Sequence, residues 1–372
     1  MRLAFVLFTW FPHGGLQQDL VKVINACREH SPGTSISIFC QEWNGAQVAG
    51  VETVIVPASG WTATGRREAF ATWIGANVQG VFDKVIGFNR LPGLDYYYAA
   101  DLCFAAKARG ERGLWYRLLP RARQYLRFEQ AVFGAEATTI AMLLSPVQRT
   151  QYKQYYGTSD ARLIDLPPGI RPEHRAGADA AELRRSFRAE HGIGDDELVV
   201  LQVGSSFRIK GVKRSLTALV ALPPALKKRV RYFLVGRDDP KPWLQRAAAL
   251  GLQDQVSIVG AIGDIARFMQ GADLLLHPSL AESAGMVLLE AVVAGLPALT
   301  TASCGYAFHV EQAQAGLVCP EPFNQDVLNL ALVSMLQADR SAWRANGIRY
   351  GQAHNLYDMP RTVASIILGG AQ

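Results

Sequence analysis

Residues 277–297, with the sequence HPSLAESAGMVLLEAVVAGLP, constrain the fold of this chain more than any other segment. A short apolar run of buried-strand type, residues 274–276, precedes them, and residues 285–294 form a compact apolar run of helix-forming residues. A helix that is apolar on every side is expected to be buried, and Gly295 and Pro297 are expected to end it. The sequence therefore predicts a strand, a loop and a buried helix.

Glu290 is the exception in this helix. A carboxylate is rarely buried without a partner, and helical side chains lean toward the N-terminus, so Glu290 is expected to point to the helix mouth. There, free N–H groups at residues 285–287 and the helix dipole favour an anion, and Gly285 allows close approach. With Glu282 just ahead, two carboxylates can flank a diphosphate and accept hydrogen bonds from hydroxyls on both sides, as a nucleotide sugar requires. The alternative is that Glu282 caps the helix and Glu290 pairs with a buried arginine.

The spacing from Glu282 to Glu290, with Gly285 between them, resembles the E-x7-E signature of retaining family 4 glycosyltransferases. The segments HPS, EAVVAGLP and TTASCGY agree with that family in order. The segments FPHGGLQQDL, GFNRLPGLDYYYAADLCFA and LPPGI are similar, more narrowly, to lipopolysaccharide core glucosyltransferases of type I. The resemblance covers nearly the whole chain and implies an α/β architecture, the GT-B fold, in which two Rossmann-like domains face each other across a cleft.

Length and composition agree with two globular domains. The chain has 372 residues, of which 49% are hydrophobic and 19% charged. A net charge of +6 and a pI near 9.1 favour an anionic partner: a nucleotide, a nucleic acid or an acidic membrane surface. The five cysteines show no CxxC spacing, which indicates neither a disulfide framework nor a zinc site and fits a reducing cytosol. The apolar start is interpreted as a first strand, and no segment is long and apolar enough to predict a spanning helix.

The chain opens with a predicted strand, a His13-Gly14-Gly15 turn and an amphipathic helix, the first unit of a Rossmann-like domain. The turn lacks GxGxxG, so the glycines could simply form a tight bend. Asp19, near this turn, could orient a sugar hydroxyl or complement the helix dipole. Asp101 lies among apolar and aromatic residues and is either a partnered structural residue or an active-site carboxylate.

In the second half, a predicted strand at 198–203 leads into a glycine-bounded loop at 204–211. Arg208 and Lys210 in this loop could hold a diphosphate, although surface cations in loops are common. The family that the chain resembles has an arginine directly after the first glycine and a lysine before the second. Lys210 matches, but Ser205 stands in the arginine's place, and Arg208 could substitute for it.

A basic and aromatic segment runs from Lys107 to Phe128. Its cations are Lys107, Arg109, Arg112, Arg117, Arg121, Arg123 and Arg127, and its aromatics are Trp115, Tyr116, Tyr125 and Phe128. Part of it is predicted as an amphipathic helix suited to an anionic membrane surface. A solvated face with ordinary core aromatics, or capture of a phosphorylated acceptor, are alternatives. No nucleic-acid-binding module is recognised.

The resemblance also implies the domain functions. Residues 1–167 would bind the acceptor, residues 168–352 the nucleotide sugar, and residues 353–372 would return as a helix to the first domain. The enzyme would move a hexose from a UDP-sugar (UDP-glucose or a related UDP-hexose or hexosamine) to heptose of the lipopolysaccharide inner core, with retention and without a metal or cofactor. It would be cytoplasmic, at the inner face of the cytoplasmic membrane.

The resemblance assigns each candidate residue a role. The candidates for catalysis are Asp19, Asp101 and Glu282, and those for donor binding are Gly14, Gly15, Arg208, Lys210, Ile262, Ala284, Gly285, Met286, Val287 and Glu290. A UDP-N-acetylhexosamine 2-epimerase and a non-catalytic basic nucleotide- or membrane-binding module are the alternatives. A Rossmann dehydrogenase is disfavoured because the first turn lacks the usual fingerprint.

Overall fold

The computed structural model describes residues 1–12, 14–57, 59–111 and 114–369. His13 of the glycine turn and Arg112 of the basic segment lie outside these ranges. The chain divides into two compact units, the first formed by Met1–Gly169 with Asp358–Gln372 and the second by Ile170–Tyr357. Both have α/β architecture built on a parallel sheet.

The first unit contains a parallel sheet of seven strands. Across the sheet they lie in the order Glu52–Ile55, Ser35–Cys40, Arg2–Val6, Lys84–Gly87, Tyr96–Ala99, Ile140–Leu143 and Leu163–Asp165. Its α-helices are Gly15–His30, Ala63–Asn77, Phe104–Ala106, Pro120–Phe133, Pro146–Tyr156 and Met359–Leu368. A small separate sheet pairs Thr9–Trp10 with Glu42–Trp43.

Both faces of the first strand are buried, which explains its unbroken apolar sequence. Leu3 and Phe5 belong to one core cluster, with residues of the helix Gly15–His30, whereas Ala4 and Val6 belong to a second cluster on the other face. The helix Met359–Leu368 contributes Met359, Val363, Ala364 and Ile367 to the first of these clusters. The last helix is therefore part of the first unit's core, although the second unit precedes it in sequence.

The second unit contains a parallel sheet of six strands. In spatial order they are Val256–Gly260, Val230–Val235, Leu198–Val203, Leu274–His277, Ala298–Thr301 and Gly316–Cys319. Its α-helices are Ala180–Glu190, Val212–Val220, Pro224–Lys227, Lys241–Ala249, Ile265–Gly271, Met286–Val293, Ala307–Gln312, Gln325–Gln337 and Ser341–Ala353. In both sheets the strand order reverses beside the first strand of the unit, as in doubly wound folds.

The basic segment is a composite of a π-helical turn at Lys107–Glu111, a 3-10 helix at Leu114–Leu118 and the start of the helix Pro120–Phe133. The sequence predicted a helix over part of this segment, and the α-helix covers its last residues, 120–128. Proline at the first position of that helix separates it from the preceding turn. The helix Ser341–Ala353 was not predicted, since glycines and polar residues interrupt its apolar pattern. Among the described residues, no helix is both long and apolar enough to cross a membrane.

Candidate functional site

Two loops meet at the point where the strand order of the second sheet reverses. Loop 204–211 follows the strand Leu198–Val203, and loop 278–285 follows the neighbouring strand Leu274–His277. The loops are in contact, because the N–H of Leu280 donates to the carbonyl of Ile209 at 2.8 Å. Ligands of open α/β sheets bind at the carboxyl ends of the strands at such a switch point. The candidate donor site lies here.

Lys210 and Glu282, one from each loop, form an ion pair through Nζ and Oε1. The other carboxylate oxygen of Glu282, Oε2, lies 2.8 Å from Nε2 of His277, which is fully buried at the end of its strand. The side chains of Lys210 and Glu282 are 19% and 15% exposed, so the ion pair is partly shielded from water but open on one side. The structure thus brings together two residues that the sequence placed far apart in the chain.

Electrostatic contacts keep Glu282 ionised. Burial alone raises the pKa of this carboxyl, but the contacts with His277 and Lys210 outweigh it and hold the pKa well below its ordinary value. The site therefore presents a carboxylate that can accept hydrogen bonds and an ammonium group that can pair with an anion.

We expect Glu282 to stabilise the fold most above the pKa of an unfolded glutamate, about 4.3. Because its folded pKa is depressed, this contribution is lost as the pH falls through the range between the unfolded and folded values. The free energies of unfolding of wild type and Glu282→Gln, measured from pH 7 down to 3, should converge with acidification. Glu311→Gln, at an exposed position, is the control and should show no such trend. A difference in the free energy of unfolding between wild type and Glu282→Gln that stays constant below pH 4 would contradict the depressed pKa of Glu282.

Gly285 lets the second loop turn tightly into the helix Met286–Val293. Its φ is +93°, in the left-handed region, and a Cβ there would lie 2.3 Å from Sγ of Cys304. Glu282 sits next to this glycine, since the same Cβ would be 3.6 Å from its carboxyl carbon. The ion pair therefore lies beside the N-terminus of the helix, whose first N–H groups, at Met286 and Val287, have no acceptor within the helix. Ala284 holds the turn by accepting from the N–H of Tyr306 at 2.7 Å.

His277, Glu282 and Cys304 form the group among the described residues whose ligand atoms, all within 4.8 Å of one another, could hold a metal ion. Glu282 is already engaged by Lys210 and His277. Burial, followed by the charge of Glu282, raises the pKa of the Cys304 thiol well above its usual value, which favours the protonated form. The contacts present are those of a hydrogen-bonded cluster, in which the thiol of Cys304 lies 3.4 Å from the carbonyl of Ala284.

Loop 204–211 is fixed by buried and charged groups around it. The N–H groups of Ser206 and Phe207 donate to the carboxylate of Asp238 at 2.7 and 2.6 Å. The side-chain amide of Gln202 donates to the carbonyl of Lys210 at 2.6 Å. Gly211, with φ +76°, lets the loop pass the second loop closely, because a Cβ would lie 1.9 Å from the carbonyl oxygen of Pro278. Lys210 is thus held by its backbone as well as by its ion pair.

The other donor-site candidates lie around this loop pair or on the same helix. Arg208 is exposed, and its side chain makes no ion pair with any described residue. Ile262 is partly buried in the turn after the strand Val256–Gly260. Glu290 is 21% exposed, and its Oε1 lies 3.8 Å from Nδ1 of His174, which is buried. His174 is thus one residue that Glu290 contacts.

In the first unit, Asp19 is a partly buried carboxylate with two partners. It accepts from the hydroxyl of Tyr98 at 2.9 Å and pairs with Lys22 at 3.1 Å. Burial raises its pKa above the ordinary value, and the contacts with Lys22 and Tyr98 offset only part of that effect. Gly14 and Gly15 begin the same helix, and a Cβ on Gly15 would meet no described atom within 4 Å, so the backbone is accessible there.

Asp101 is half exposed, with its side chain 52% accessible, although its neighbours in sequence are apolar and aromatic. It follows the strand Tyr96–Ala99, and its Oδ2 lies 3.6 Å from Arg90. Arg90 in turn pairs with Glu129, which is fully buried. The apolar residues around Asp101 in sequence pack into the core, while the end of the strand carries the carboxylate outward.

Three functional neighbours were missed by the sequence analysis. His277, Tyr98 and Glu129 orient Glu282, Asp19 and Arg90, respectively. His277 could have been found, since a histidine that directly ends a buried strand at a switch point commonly has a polar partner. Tyr98 and Glu129 gave no such signal, because their partners lie 79 and 39 residues away.

Comparisons with known proteins agree with this architecture. Residues 184–351 match the family described as Glycosyl transferases group 1. The chain is 39% identical to the lipopolysaccharide glucosyltransferase WaaG of Escherichia coli (strain K12) over 373 residues, covering 100% of this chain and 99% of that protein. The crystal structure of WaaG, a glycosyltransferase involved in lipopolysaccharide biosynthesis, superposes with a TM-score of 0.92 at 39% identity, covering 99% of this chain and 100% of that one.

A more distant structure shares the fold alone. Anabaena Alr3699/HepE in complex with UDP-glucose gives a TM-score of 0.73 at 18% identity, with 99% of this chain and 100% of that chain covered. The two matches to WaaG extend over both units, and the family match lies within the second unit, which contains Lys210, Glu282 and the helix Met286–Val293. This chain has the GT-B fold and belongs to the glycosyltransferase family Glycosyl transferases group 1.

Proposed function

We propose that the enzyme transfers a hexose from a UDP-sugar to heptose of the lipopolysaccharide inner core, with retention of anomeric configuration. The donor is UDP-glucose or a related UDP-hexose or hexosamine. The similarity to WaaG over the full chain supports the reaction class and the acceptor pathway. The observation that carries the proposal is the pairing of Lys210 with Glu282 beside the N-terminus of the helix Met286–Val293.

In this proposal the donor diphosphate replaces Glu282 as the partner of Lys210. The bond between the anomeric carbon and the β-phosphate oxygen breaks while negative charge builds on the diphosphate. The oxygen of an acceptor hydroxyl bonds to the anomeric carbon, and its proton passes to the departing phosphate. Lys210 and the N–H groups of Met286 and Val287 are already in place before the reaction and stabilise that charge as it develops. Because this positive charge comes from the protein, the reaction needs no metal.

The carboxylates orient the two sugars of the donor. Glu282, once released from Lys210, accepts from hydroxyls of the hexose, and His277 keeps it in place. Glu290 accepts from the ribose, while Ile262 and Ala284 line the nucleotide. Arg208, exposed and without an ion-pair partner among the described residues, adds a second cation for the diphosphate.

The first unit binds the acceptor in this proposal. Asp19 and Asp101 lie beyond or beside the carboxyl ends of the sheet's strands, where ligands of doubly wound folds bind. Gly14 and Gly15 allow a sugar to approach the backbone at the start of the first helix. No residue is assigned as a covalent nucleophile.

The test is transfer by the purified protein from a panel of UDP-hexoses to a heptose-terminated core acceptor, with and without chelator. We expect an α-linked product from an α-linked donor, formed at the same rate in chelator. Formation of a new UDP-sugar from the donor alone would instead indicate an epimerase. Failure to transfer from any UDP-sugar, together with no thermal stabilisation by UDP, would contradict the proposal.

We propose further that the enzyme works in the cytoplasm at the inner face of the cytoplasmic membrane, through the basic segment (residues 107–128). Trp115 is 82% exposed, and Leu118 and Leu119 are each 51% exposed. Arg121 and Arg123 are exposed beside them on the next helix. Tyr125 instead lines a pocket of the first unit, and Phe128 is buried in its core. The segment therefore combines a membrane-facing aromatic, Trp115, with ordinary packing residues.

Replacing Arg121 and Arg123 by glutamine should weaken binding to anionic vesicles by about fivefold per residue, since each basic group near such a surface contributes roughly 1 kcal/mol. Co-sedimentation with vesicles containing phosphatidylglycerol measures this, and transfer to a short soluble acceptor should stay unchanged. The matched control removes two exposed lysines of the second unit, Lys228 and Lys241. Equal loss of vesicle binding in both double variants would show that net charge alone, and not this segment, causes attraction.

A further inference from the structure

The first unit has a pocket of about 110 Å³ at the carboxyl ends of its central strands. Among the residues that line it are Phe8, Arg67, Asn89, Arg90, Asp101 and Tyr125. Phe8 and Asn89 lie just beyond two adjacent strands, and the N–H of Phe8 donates to Oδ1 of Asn89 at 2.7 Å. The side-chain NH2 of Asn89, in contrast, donates to no acceptor among the described residues. The pocket thus offers an aromatic wall, a donor and a half-exposed carboxylate.

The two arginines of this pocket differ in whether a carboxylate pairs with their positive charge. Arg90 is paired with Glu129 and lies 3.6 Å from Asp101. Arg67 has no carboxylate within ion-pair distance among the described residues. Its guanidinium lies over the rings of Phe8 and Tyr125, at 5.2 Å from each centroid, and donates to the Tyr125 hydroxyl at 2.7 Å. A guanidinium carries five N–H donors, so most of its hydrogen-bonding capacity remains unused.

A partly buried guanidinium that is held between two rings and lacks a counter-charge is suited to bind an anion. The rings fix its orientation, so little side-chain freedom is lost on binding, and its planar fork matches a carboxylate or a phosphate in bidentate geometry. Hydroxyl-binding groups lie around the same pocket, in Asp101 and the amide of Asn89. An anion that also carries hydroxyls fits this combination better than a simple ion.

We propose that this pocket is an acceptor subsite for an acidic sugar unit, whose carboxylate or phosphate pairs with Arg67 while its hydroxyls contact Asp101 and Asn89. This inference rests on the proposed transfer to a core oligosaccharide, and it adds that the enzyme recognises an anionic substituent of the acceptor. Arg90 and Glu129 position Asp101 and do not contact the anion.

Three forms of the core acceptor separate the two sources of charge: untreated, dephosphorylated with hydrogen fluoride, and with its carboxylates reduced. For the wild type, we expect removal of the recognised group to raise the acceptor KM at least tenfold, in line with the strength of charge-assisted hydrogen bonds. Arg67→Gln should show the raised KM with every acceptor and no discrimination between them. Arg67→Lys should recover part of the discrimination.

Arg66→Gln is the matched control, because it removes the same charge from the adjacent, exposed position. It should leave the acceptor KM unchanged. A second measurement does not depend on transfer: the thermal midpoint in glucose, glucose 6-phosphate and glucuronate. At least one of the two acidic sugars should stabilise the wild type, neutral glucose should not, and Arg67→Gln should lose the effect.

The outcomes distinguish failure of this inference from failure of the proposed function. Equal KM for all three acceptors, or discrimination that survives in Arg67→Gln, would overturn the acidic-sugar subsite while leaving the transferase assignment intact. No transfer to any acceptor would defeat the proposed function. In that case, absence of a midpoint shift with both acidic sugars would overturn the subsite as well, and a shift that depends on Arg67 would support it.

Discussion

Replacing Lys210 by alanine is expected to lower kcat/KM for sugar transfer by about 10²–10³-fold, the usual effect of removing one preorganised group that stabilises developing charge. The charge that builds on the departing diphosphate needs a cation that is already in place. Lys210 meets this need, because its carbonyl is held by Gln202 and its side chain packs over Gly204, where a Cβ would lie 2.9 Å from Cε.

The division of the loss between kcat and donor affinity tests the assignment. If Lys210 acts mainly on charge that appears in the transition state, kcat should fall more than the affinity for the UDP-sugar falls. Single-turnover kinetics at saturating donor measure the first, and the thermal midpoint with UDP measures the second. Lys213→Ala, at the exposed second position of the next helix, is the control, and its kcat and donor affinity should stay near those of the wild type.

Loss of the partner also affects folding, and this effect must be separated from the kinetic one. Lys210→Ala leaves Glu282 without its lysine partner in a largely buried site, which destabilises the unit. Glu282→Gln with Lys210→Met removes both charges and should restore most of that stability without restoring activity. Transfer by this double variant at near wild-type rate would refute the role of the pair in catalysis.

The donor-site segment could be predicted from sequence because its determinants are local. The strand Leu274–His277 and the helix Met286–Val293 follow from two apolar runs separated by a short polar loop, and the predicted and observed bounds differ by one residue at each end of the helix. That Lys210 would meet Glu282 followed only from the family resemblance. Their contact depends on the order of strands in the sheet, which periodicity within one segment does not encode.

Contacts between distant segments account for what sequence reasoning missed. Glu290 contacts His174, from a 3-10 turn more than a hundred residues earlier. Asp179 occupies the N-cap position of the helix Ala180–Glu190, but its side chain makes no capping hydrogen bond. Asp101 is exposed because its strand ends at Ala99, two residues before it. Strand ends and long-range partners are set by tertiary packing, which overrides local pattern.

Glu129 exemplifies such packing and provides the prediction with the largest effect on stability. It lies on the helix Pro120–Phe133 and is completely buried. Besides Arg90, it accepts from the N–H groups of Phe104 and Ala105 at 2.8 Å each and from the Tyr156 hydroxyl at 2.6 Å. One carboxylate therefore connects three segments of the first unit and satisfies the free N–H groups at the start of the short helix Phe104–Ala106.

Glu129→Gln should destabilise the first unit by about 3–5 kcal/mol, because it leaves the charge of Arg90 buried without its main partner. Arg90 is 8% exposed, so water cannot replace the lost carboxylate. Glu68→Gln is the matched control: it breaks the pair with Arg127, whose side chain is 62% exposed, and should change stability by less than about 1 kcal/mol.

Hydrogen exchange measures this effect in each unit separately. In Glu129→Gln, amides of the helix Pro120–Phe133 should exchange faster by about two to four orders of magnitude, as about 3–5 kcal/mol requires, while those of the helix Gln325–Gln337 in the second unit keep their wild-type rates. Because Arg90 would then have Asp101 as its remaining carboxylate neighbour, Asp101 should be drawn away from the acceptor pocket and the acceptor KM should rise in the molecules that stay folded. Unchanged exchange rates in the helix Pro120–Phe133 would mean that another group neutralises the charge of Arg90. Glu129 would then not be essential to the stability of the first unit.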